Sequence, residues 1–245
     1  MVASLPAVVV SVLLAVTTRV PVEPVERFDH SPFDAVLAEV VSGESVDYAK
    51  LRELHRNALR SYLDRLAEID PAGMDDHERL ALYLNLYNAS MLAAVVDRYT
   101  PGYSPADDDF AVFDEPRVRL AGRRVTLNDL EHRLIRREFD DPRIHAALVC
   151  AARSCPPLAN RAYRGEDLDE MLDRRMRSFV NDSDRNRIDA AGKTLRLSSV
   201  FDWYADDFGG RDRLSAYVDR FTEVDVSGFD VEFLPYSWGL NDVGR

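Results

Sequence analysis

The amino-acid sequence predicts an α+β fold: a helix-rich single domain with two short β-hairpins and a buried central helix. Three observations support this prediction. Apolar residues recur at helical spacing, residues 75–99 are apolar on nearly every side of a helix, and two alternating segments flank turn sequences. The chain has 245 residues, of which 46% are apolar, so it can bury one sizeable core.

Helices are predicted first along the N-terminal half of the chain. "SPFDAVLAEVV" predicts a short helix with Ser31 as its cap and Pro32 in its first turn. Leucines recur every three to five positions through residues 48–69, which predicts a second helix. The long segment 75–99 predicts a helix buried on every side, ended by residues 100–102.

Hairpins and further helices follow in the second half. Ala121 and Gly122 supply a turn within "RVRLAGRRVTL", and Gly192 supplies one within "RIDAAGKTLRL". A final segment, "FDVEFLPYSWGLN", predicts an edge strand that ends in aromatic residues. The remaining helices are predicted at 128–138, 166–181, 198–208 and 211–221.

Charge and the N-terminus restrict the partners and the location. The formal net charge of −12 disfavours a nucleic acid or an anionic membrane surface as partner. The apolar run at 5–16 is shorter than the roughly 20 residues of a membrane span, so it predicts a signal peptide or an N-terminal membrane anchor over residues 1–26. Residues 27–245 then form the domain. We expect a secreted or periplasmic protein whose membrane association, if there is any, is through the N-terminus only.

Two asparagines on the central helix are candidates for binding. Asn85 and Asn88 lie three residues apart and therefore share a face. A buried carboxamide without partners costs roughly 1 to 3 kcal/mol, so both need hydrogen-bond partners. Two interpretations stay open: a structural network that clamps a neighbouring loop, or a clamp for a substrate or an oxyanion.

Glu131 also has two interpretations. Asn128, followed three residues later by Glu131, matches a helix capping box. On the same helix, however, Glu131 falls on the apolar face that should point inward, and His132 borders that face. A glutamate directed at the core needs a partner, so a functional role is the alternative to capping.

Both cysteines of the chain lie in "DPRIHAALVCAARSCPP". Neither a strand nor a helix places His145 beside Cys150. Cys150 follows an apolar run and is expected to be buried and inert, whereas Cys155 lies in a proline-fixed turn and is expected to be partly accessible. A nucleophilic cysteine needs a lowered pKa, supplied by an imidazole or a helix N-terminus. If residues 145–153 are helical, Cys155 lies at the carbonyl end of that helix, which argues against a nucleophile.

Sulfur has two further uses in this segment. A disulfide between Cys150 and Cys155 would close a short loop. Zinc could be held by the two cysteines with His132 and His145, but their spacing fits no recognised zinc pattern. No metal and no cofactor are therefore expected.

Five ordered motifs carry a resemblance to a known family: "LYLNLYNAS", "VTLNDLEHRLI", "DPRIHAALVCAARSCPPL", "LRLSSVFDWYADDF" and "YSWGLN". With them the chain resembles the domain of unknown function 547 family over roughly residues 28–242. The resemblance implies an exported protein and supplies no reaction. We expect the polar and aromatic positions that match to converge on one cleft: Asn85, Tyr87, Asn88, Glu131, His132, Arg143, His145, Cys155, Trp203, Tyr204 and Trp238.

The leading hypothesis is a cysteine- and histidine-dependent hydrolase or acyl-transfer enzyme that acts on a peptide, amide or thioester bond of a small-molecule or peptide substrate. Cys155 is the expected nucleophile, His145 or His132 the base, and Glu131 the group that orients the imidazole. Asn85 or Asn88 would donate to the oxyanion. The expected substrate-binding residues are Asn85, Tyr87, Asn88, Arg143, Trp203 and Trp238. The alternatives are a non-catalytic binding module of the cell envelope and, third, a zinc-binding protein.

Overall fold

The structure, a computed structural model, describes residues 27–243. The expected signal peptide or anchor over residues 1–26 lies outside the described residues and stays a prediction. The α-helices are α1 (Ser31–Val40), α2 (Tyr48–Lys50), α3 (Arg56–Ala67), α4 (Asp76–Arg98), α5 (Ala111–Asp114), α6 (Leu127–Asp129), α7 (Arg136–Glu138), α8 (Leu168–Val180), α9 (Ser199–Trp203) and α10 (Leu214–Asp219). The strands are β1 (Val41–Ser42), β2 (Ser45–Val46), β3 (Val118–Leu120), β4 (Arg123–Val125), β5 (Arg187–Asp189), β6 (Thr194–Leu197) and β7 (Asp230–Phe233).

The remaining helical elements are π-helical turns and 3₁₀ segments. π-helical turns join α2 to α3 (Leu51–His55) and α6 to α7 (Leu130–Ile135). The 3₁₀ segments are Pro71–Gly73, Asp107–Phe110, Pro142–Ala146, Gly165–Asp167, Ala205–Phe208 and Arg211–Arg213. The predicted helix-rich α+β class is thus confirmed, with small sheets of two or three strands.

The central helix α4 has the predicted character. Asp75 caps its N-terminus by accepting the backbone N–H of Glu78, and the helix is buried on nearly every side. Among residues 27–243, α4 is the one helix that is long and apolar enough to cross a membrane. Since neighbouring elements bury most of it, α4 has the burial expected of a core helix in a globular domain.

The structure contradicts the predicted cap at Ser31 and, of the two interpretations of Glu131, the capping one. Ser31 is the first residue of α1 rather than its cap, because the preceding His30 takes the cap position without a side-chain hydrogen bond. The helix that carries Glu131 is capped by Thr126. The Thr126 hydroxyl accepts the N–H of Asp129, and the Asp129 carboxylate accepts the backbone N–H of Thr126. Asn128 instead donates to Asp114 at 2.8 Å. Glu131 therefore has no part in capping and lies in the π-helical turn, a feature frequent at functional sites.

The two predicted hairpins are present, and a third was missed. Ala121 (φ 47°) and Gly122 (φ 73°) turn between β3 and β4 in the positive-φ conformation that suits a two-residue hairpin loop. In the second hairpin Ile188 of β5 faces Leu195 of β6. The third pairs β1 with β2, whose two-residue strands are too short to show alternation. The predicted last strand, β7, runs parallel to β6 at the edge of the three-stranded sheet β5–β6–β7.

The core has two parts; Cys155 belongs to the larger part, and Cys150 packs against that part. The larger part surrounds α4, and the smaller one joins the three-stranded sheet to α8, α9 and α10. Tyr236, in the C-terminal segment, packs against both parts. The same segment crosses the molecule, pairing Leu240 with Ala152 and Asp242 with Val46.

Candidate active site

The two asparagines of α4 hold backbone segments on either side of the cysteines. Asn88 accepts the N–H of Val149 at 3.0 Å and donates to the carbonyl of Ala147 at 2.9 Å. Asn85 makes the same pair of bonds with the N–H and carbonyl of Tyr163, at 2.9 and 2.8 Å. Because both carboxamides are buried and bound to backbone, they form the structural clamp, and neither is placed as the expected substrate or oxyanion donor.

The path of the cysteine segment differs from both predicted geometries. Residues Pro142–Ala146 form a 3₁₀ helix, and from Ala147 onward the chain is irregular rather than a helix through residue 153 or a strand. Ala151 has a positive φ of 62°, an uncommon conformation for a residue with a side chain. It accepts the N–H of Asn241 at 3.0 Å, so the C-terminal segment supports this bend.

Arg185 holds the other end of the segment. Its buried guanidinium donates to the carbonyl of Cys155 at 2.7 Å and to that of Arg153 at 2.9 Å. Its remaining nitrogen pairs with Asp182 and with Glu44. The planar fork of an arginine can reach these carbonyls and carboxylates together, which a lysine cannot. Sequence reasoning missed Arg185, which no local pattern marks.

The two cysteines have exposures opposite to those expected. Cys155 is buried, with 4% of its surface exposed, whereas Cys150 is partly buried, and both are free thiols. The sulfur of Cys155 accepts the backbone N–H of Cys150 at 2.8 Å, and the sulfur of Cys150 lies 3.0 Å from the hydroxyl of Tyr236. The turn that was expected to expose Cys155 is covered by distant parts of the chain.

The thiols differ in acidity. Burial raises the pKa of Cys155, but hydrogen bonds from the thiol and N–H of Cys150 and from Tyr236 outweigh burial and hold that pKa below its ordinary value. The pKa of Cys150 is raised well above its ordinary value by burial and by the neighbouring Cys155. Of the two sulfurs, Cys155 is therefore the one that more readily becomes a thiolate.

His145 is paired with Asp207, a residue that sequence reasoning did not select. The Nε2 atom of His145 lies 2.6 Å from Asp207 Oδ2, and the guanidinium of Arg136 binds both carboxylate oxygens at 2.7 and 2.8 Å. Burial raises the pKa of Asp207, but the bonds from His145 and Arg136 outweigh it and hold the pKa well below its ordinary value. A carboxylate that cannot act as a donor requires the proton on Nε2, so Nδ1 of the neutral imidazole has the free lone pair. The only sequence signal was the acidic pair in "YADDF".

Glu131 does not orient an imidazole, contrary to expectation. Its carboxylate is a hydrogen-bond partner of the Tyr204 hydroxyl, and its charge adds to burial in raising the pKa of that tyrosine. The Nδ1 atom of His132 lies 3.9 Å from the carboxylate but accepts a hydrogen bond from Arg136 at 3.1 Å, so it carries no proton to donate to Glu131. His145 instead stacks on the Tyr204 ring, with ring centroids 4.0 Å apart.

These groups open into one cavity of about 250 Å³. Seven of the sequence-selected residues line it: Cys155, His145, Glu131, Tyr87, Trp203, Tyr204 and Trp238. Its remaining lining residues include Cys150, Tyr236, Phe110 and Phe113. The expected convergence on one cleft is thus seen for these residues.

Other selected residues lie elsewhere. Arg143 binds Asp141, Asp169 and Asp173, and the charge-assisted bonds to these carboxylates raise its pKa, Asp141 contributing most. Arg143 was expected to bind substrate, but its donors are directed at aspartates and it does not line the cavity. His132 is exposed outside the cavity lining.

A zinc site finds no geometric support in the described part of the chain. Residues 27–243 contain no group of three or more histidine, cysteine, aspartate or glutamate side chains arranged to hold a metal ion. The Cys155 sulfur accepts the backbone N–H of Cys150, the Cys150 sulfur contacts the Tyr236 hydroxyl, and His145 is hydrogen bonded to Asp207.

Comparisons with known proteins bear on the segment that contains these groups. Residues 71–180, which include Glu131, His145 and both cysteines, match the family described as "Protein of unknown function, DUF547". Neither the curated proteins nor the solved structures include a match. The resemblance inferred from the motifs is thus confirmed over residues 71–180, the part of the chain that matches the DUF547 family.

Proposed function

We propose that this domain is a thiol-dependent hydrolase or acyl-transfer enzyme, with Cys155 as nucleophile and His145 as base. The observation that carries the proposal is that Cys155 and His145 line the same cavity while His145 is hydrogen bonded to the Asp207 carboxylate. A nucleophile, an imidazole and a carboxylate that orients the imidazole are the three parts that acyl transfer by a thiol needs.

Cys155 is better suited than Cys150 to be the nucleophile. The N–H of Cys150 and the Tyr236 hydroxyl both favour negative charge on the Cys155 sulfur, which lowers its pKa, whereas the pKa of Cys150 is raised. These donors remain next to the sulfur during the reaction. The Cys150 N–H is then placed to donate to an oxyanion that forms on the carbon attacked by Cys155.

Asp207 takes the role that was expected of Glu131. By accepting the Nε2 proton, Asp207 sets the tautomer of His145 and leaves Nδ1 to take the Cys155 proton. The sulfur then bonds to the acyl carbon, the bond to the leaving group breaks, and Nδ1 returns the proton to the departing nitrogen, oxygen or sulfur. Water or another acceptor then cleaves the thioester in the second half of the reaction. The Cys155 sulfur accepts a hydrogen bond from the Cys150 N–H, and in this proposal the imidazole approaches the sulfur when substrate binds.

Acylation by an activated ester tests this proposal. The protein is incubated with p-nitrophenyl acetate and with an acetyl thioester, and intact mass and peptide mapping locate any acetyl group. We expect acetylation at Cys155, absent in Cys155→Ala and slowed at least about 100-fold in His145→Ala, as for loss of a general base. The matched control Cys150→Ala should still be acetylated.

Two outcomes would overturn the proposal. One is acetylation at Cys150 rather than at Cys155. The other is a rate at Cys155 that is no faster than that of a free thiol and unchanged by His145→Ala.

A non-catalytic binding module is the second candidate, and one observation favours it. The cavity has a mostly aromatic wall, and Trp203 is 49% exposed at its edge, as in a surface that receives a ligand. Ligand binding by Cys155→Ala combined with no acylation of the unchanged protein would favour this alternative.

A further inference from the structure

The aromatic wall of the cavity is continuous. The rings of Trp203 and Trp238 are stacked with centroids 5.9 Å apart, and Tyr236 packs against both at 4.6 and 4.8 Å. Phe110 packs edge-on against Trp238 at 4.7 Å. Tyr204 and Tyr87 line the same space. The faces of such rings are negative and attract cations, most strongly those of tryptophan.

A carboxylate in the same cavity lacks a cationic partner. Glu131 is 6% exposed and lines the cavity, and its partner is the neutral Tyr204 hydroxyl. Arg136 interacts electrostatically with Glu131, but its guanidinium donates two hydrogen bonds to the carboxylate of Asp207. Arg136 also donates to Nδ1 of His132, so this nitrogen, which lies 3.9 Å from the Glu131 carboxylate, carries no proton for Glu131. The positive charge of Arg136 is balanced by the negative charge of Asp207, so the negative charge of Glu131 in the cavity is not balanced by Arg136.

The lining residues of the cavity include no lysine or arginine within the described chain. An anionic ligand would therefore meet one buried carboxylate and no fixed positive charge, which is unfavourable in a space of low dielectric constant. A cation would gain from both the carboxylate and the rings.

We propose that the cavity binds an organic cation, a substituted ammonium group held between the aromatic wall and Glu131. The inference rests on the proposed function in that it names its substrate class: an acyl compound carrying an ammonium group. The aromatic wall would hold the alkyl groups, and Glu131 would balance the charge. Cys155 and His145, on the same cavity, would then face the acyl group.

The chain contains two tryptophans, and both line the cavity, so intrinsic fluorescence reports on this site. The probes are choline and its neutral isostere 3,3-dimethylbutan-1-ol, titrated into Cys155→Ala so that no reaction interferes. We expect choline to change the fluorescence and to bind at least about tenfold more tightly than the neutral isostere, as cation–π attraction in a desolvated site implies.

Two variants identify the groups responsible. Glu131→Gln keeps the shape and removes the charge, so choline affinity should fall at least about tenfold while that of the isostere stays unchanged. The control Glu53→Gln changes an exposed glutamate outside the cavity and should leave both affinities unchanged. Trp203→Leu, at the exposed edge of the cavity, should weaken choline binding measured by ligand-observed NMR. This variant tests the inference if Glu131→Gln does not fold.

Equal binding of choline and the isostere, or tighter binding of acetate than of choline, would overturn the inference. So would choline binding that neither Glu131→Gln nor Trp203→Leu weakens. The two proposals fail separately. If Cys155 is acetylated but choline does not bind, only the proposal of an organic cation as ligand is contradicted. If choline binds but Cys155 is not acetylated, the proposed acyl transfer is contradicted and the domain is a cation-binding module.

Discussion

Replacing Asn88 with alanine should destabilise the domain strongly, because its carboxamide satisfies two buried backbone groups. The side chain is 2% exposed and binds the N–H of Val149 at 3.0 Å and the carbonyl of Ala147 at 2.9 Å. Each buried group left without a partner costs about 1 to 3 kcal/mol. We therefore expect Asn88→Ala to lower the free energy of unfolding by about 2 to 5 kcal/mol.

Asn88→Asp separates the two bonds. An aspartate can still accept the N–H of Val149, but its second oxygen would face the carbonyl of Ala147, so we expect a loss at least as large as that of alanine. The exposed Asn160 is the matched control, and Asn160→Ala should stay within about 0.5 kcal/mol of the unchanged protein.

The assay is urea-induced unfolding, followed by far-ultraviolet circular dichroism, with the slope of the transition compared between variants. Because Asn88 holds the residues just before Cys150, whose N–H binds the Cys155 sulfur, the rate of Cys155 labelling should change as well. A loss below about 1 kcal/mol for Asn88→Ala, with an unchanged slope, would refute the reasoning that Asn88 is a structural clamp.

Two further predictions concern buried groups outside the cavity. Burial, with a smaller contribution from Arg164, lowers the pKa of His30 from 6.5 to about 4, so the unfolded chain binds this proton more readily than the folded protein does. The contribution of His30 to the free energy of unfolding should therefore be fully present above pH 6.5 and fall by about 3 kcal/mol as the pH decreases to about 4. In His30→Gln the free energy of unfolding, measured in urea, should change less over this pH range. An equal change in both proteins would contradict the assignment to His30. Arg185→Ala leaves the carbonyls of Arg153 and Cys155 and the carboxylate of Asp182 without their donor, so we expect a loss of about 2 to 5 kcal/mol, only partly restored in Arg185→Lys; full stability of the lysine variant in urea unfolding would show that the fork is not needed.

Much of the secondary structure could be predicted from the sequence, because its causes are local. The long, nearly all-apolar segment 75–99 marks α4, and the positive-φ turn at Ala121 and Gly122 marks the β3–β4 hairpin. A hairpin of two-residue strands, β1–β2, has too few residues to show a period. The cap of α6 was misplaced from Thr126 to Asn128, because two capping boxes overlap in "TLNDLE" and only the backbone conformation distinguishes them.

The sequence by itself determined which residue types the candidate site contains: Cys155, His145, Glu131 and two tryptophans stand in the motifs that carry the family resemblance. Only the tertiary structure decided their partners. His145 meets Asp207, 62 residues away along the chain, and Cys155 is covered although its own turn looks exposed. Helical and strand periods report neighbours within a few residues, whereas the protonation, burial and pairing of a side chain depend on groups that other segments bring within a few ångströms.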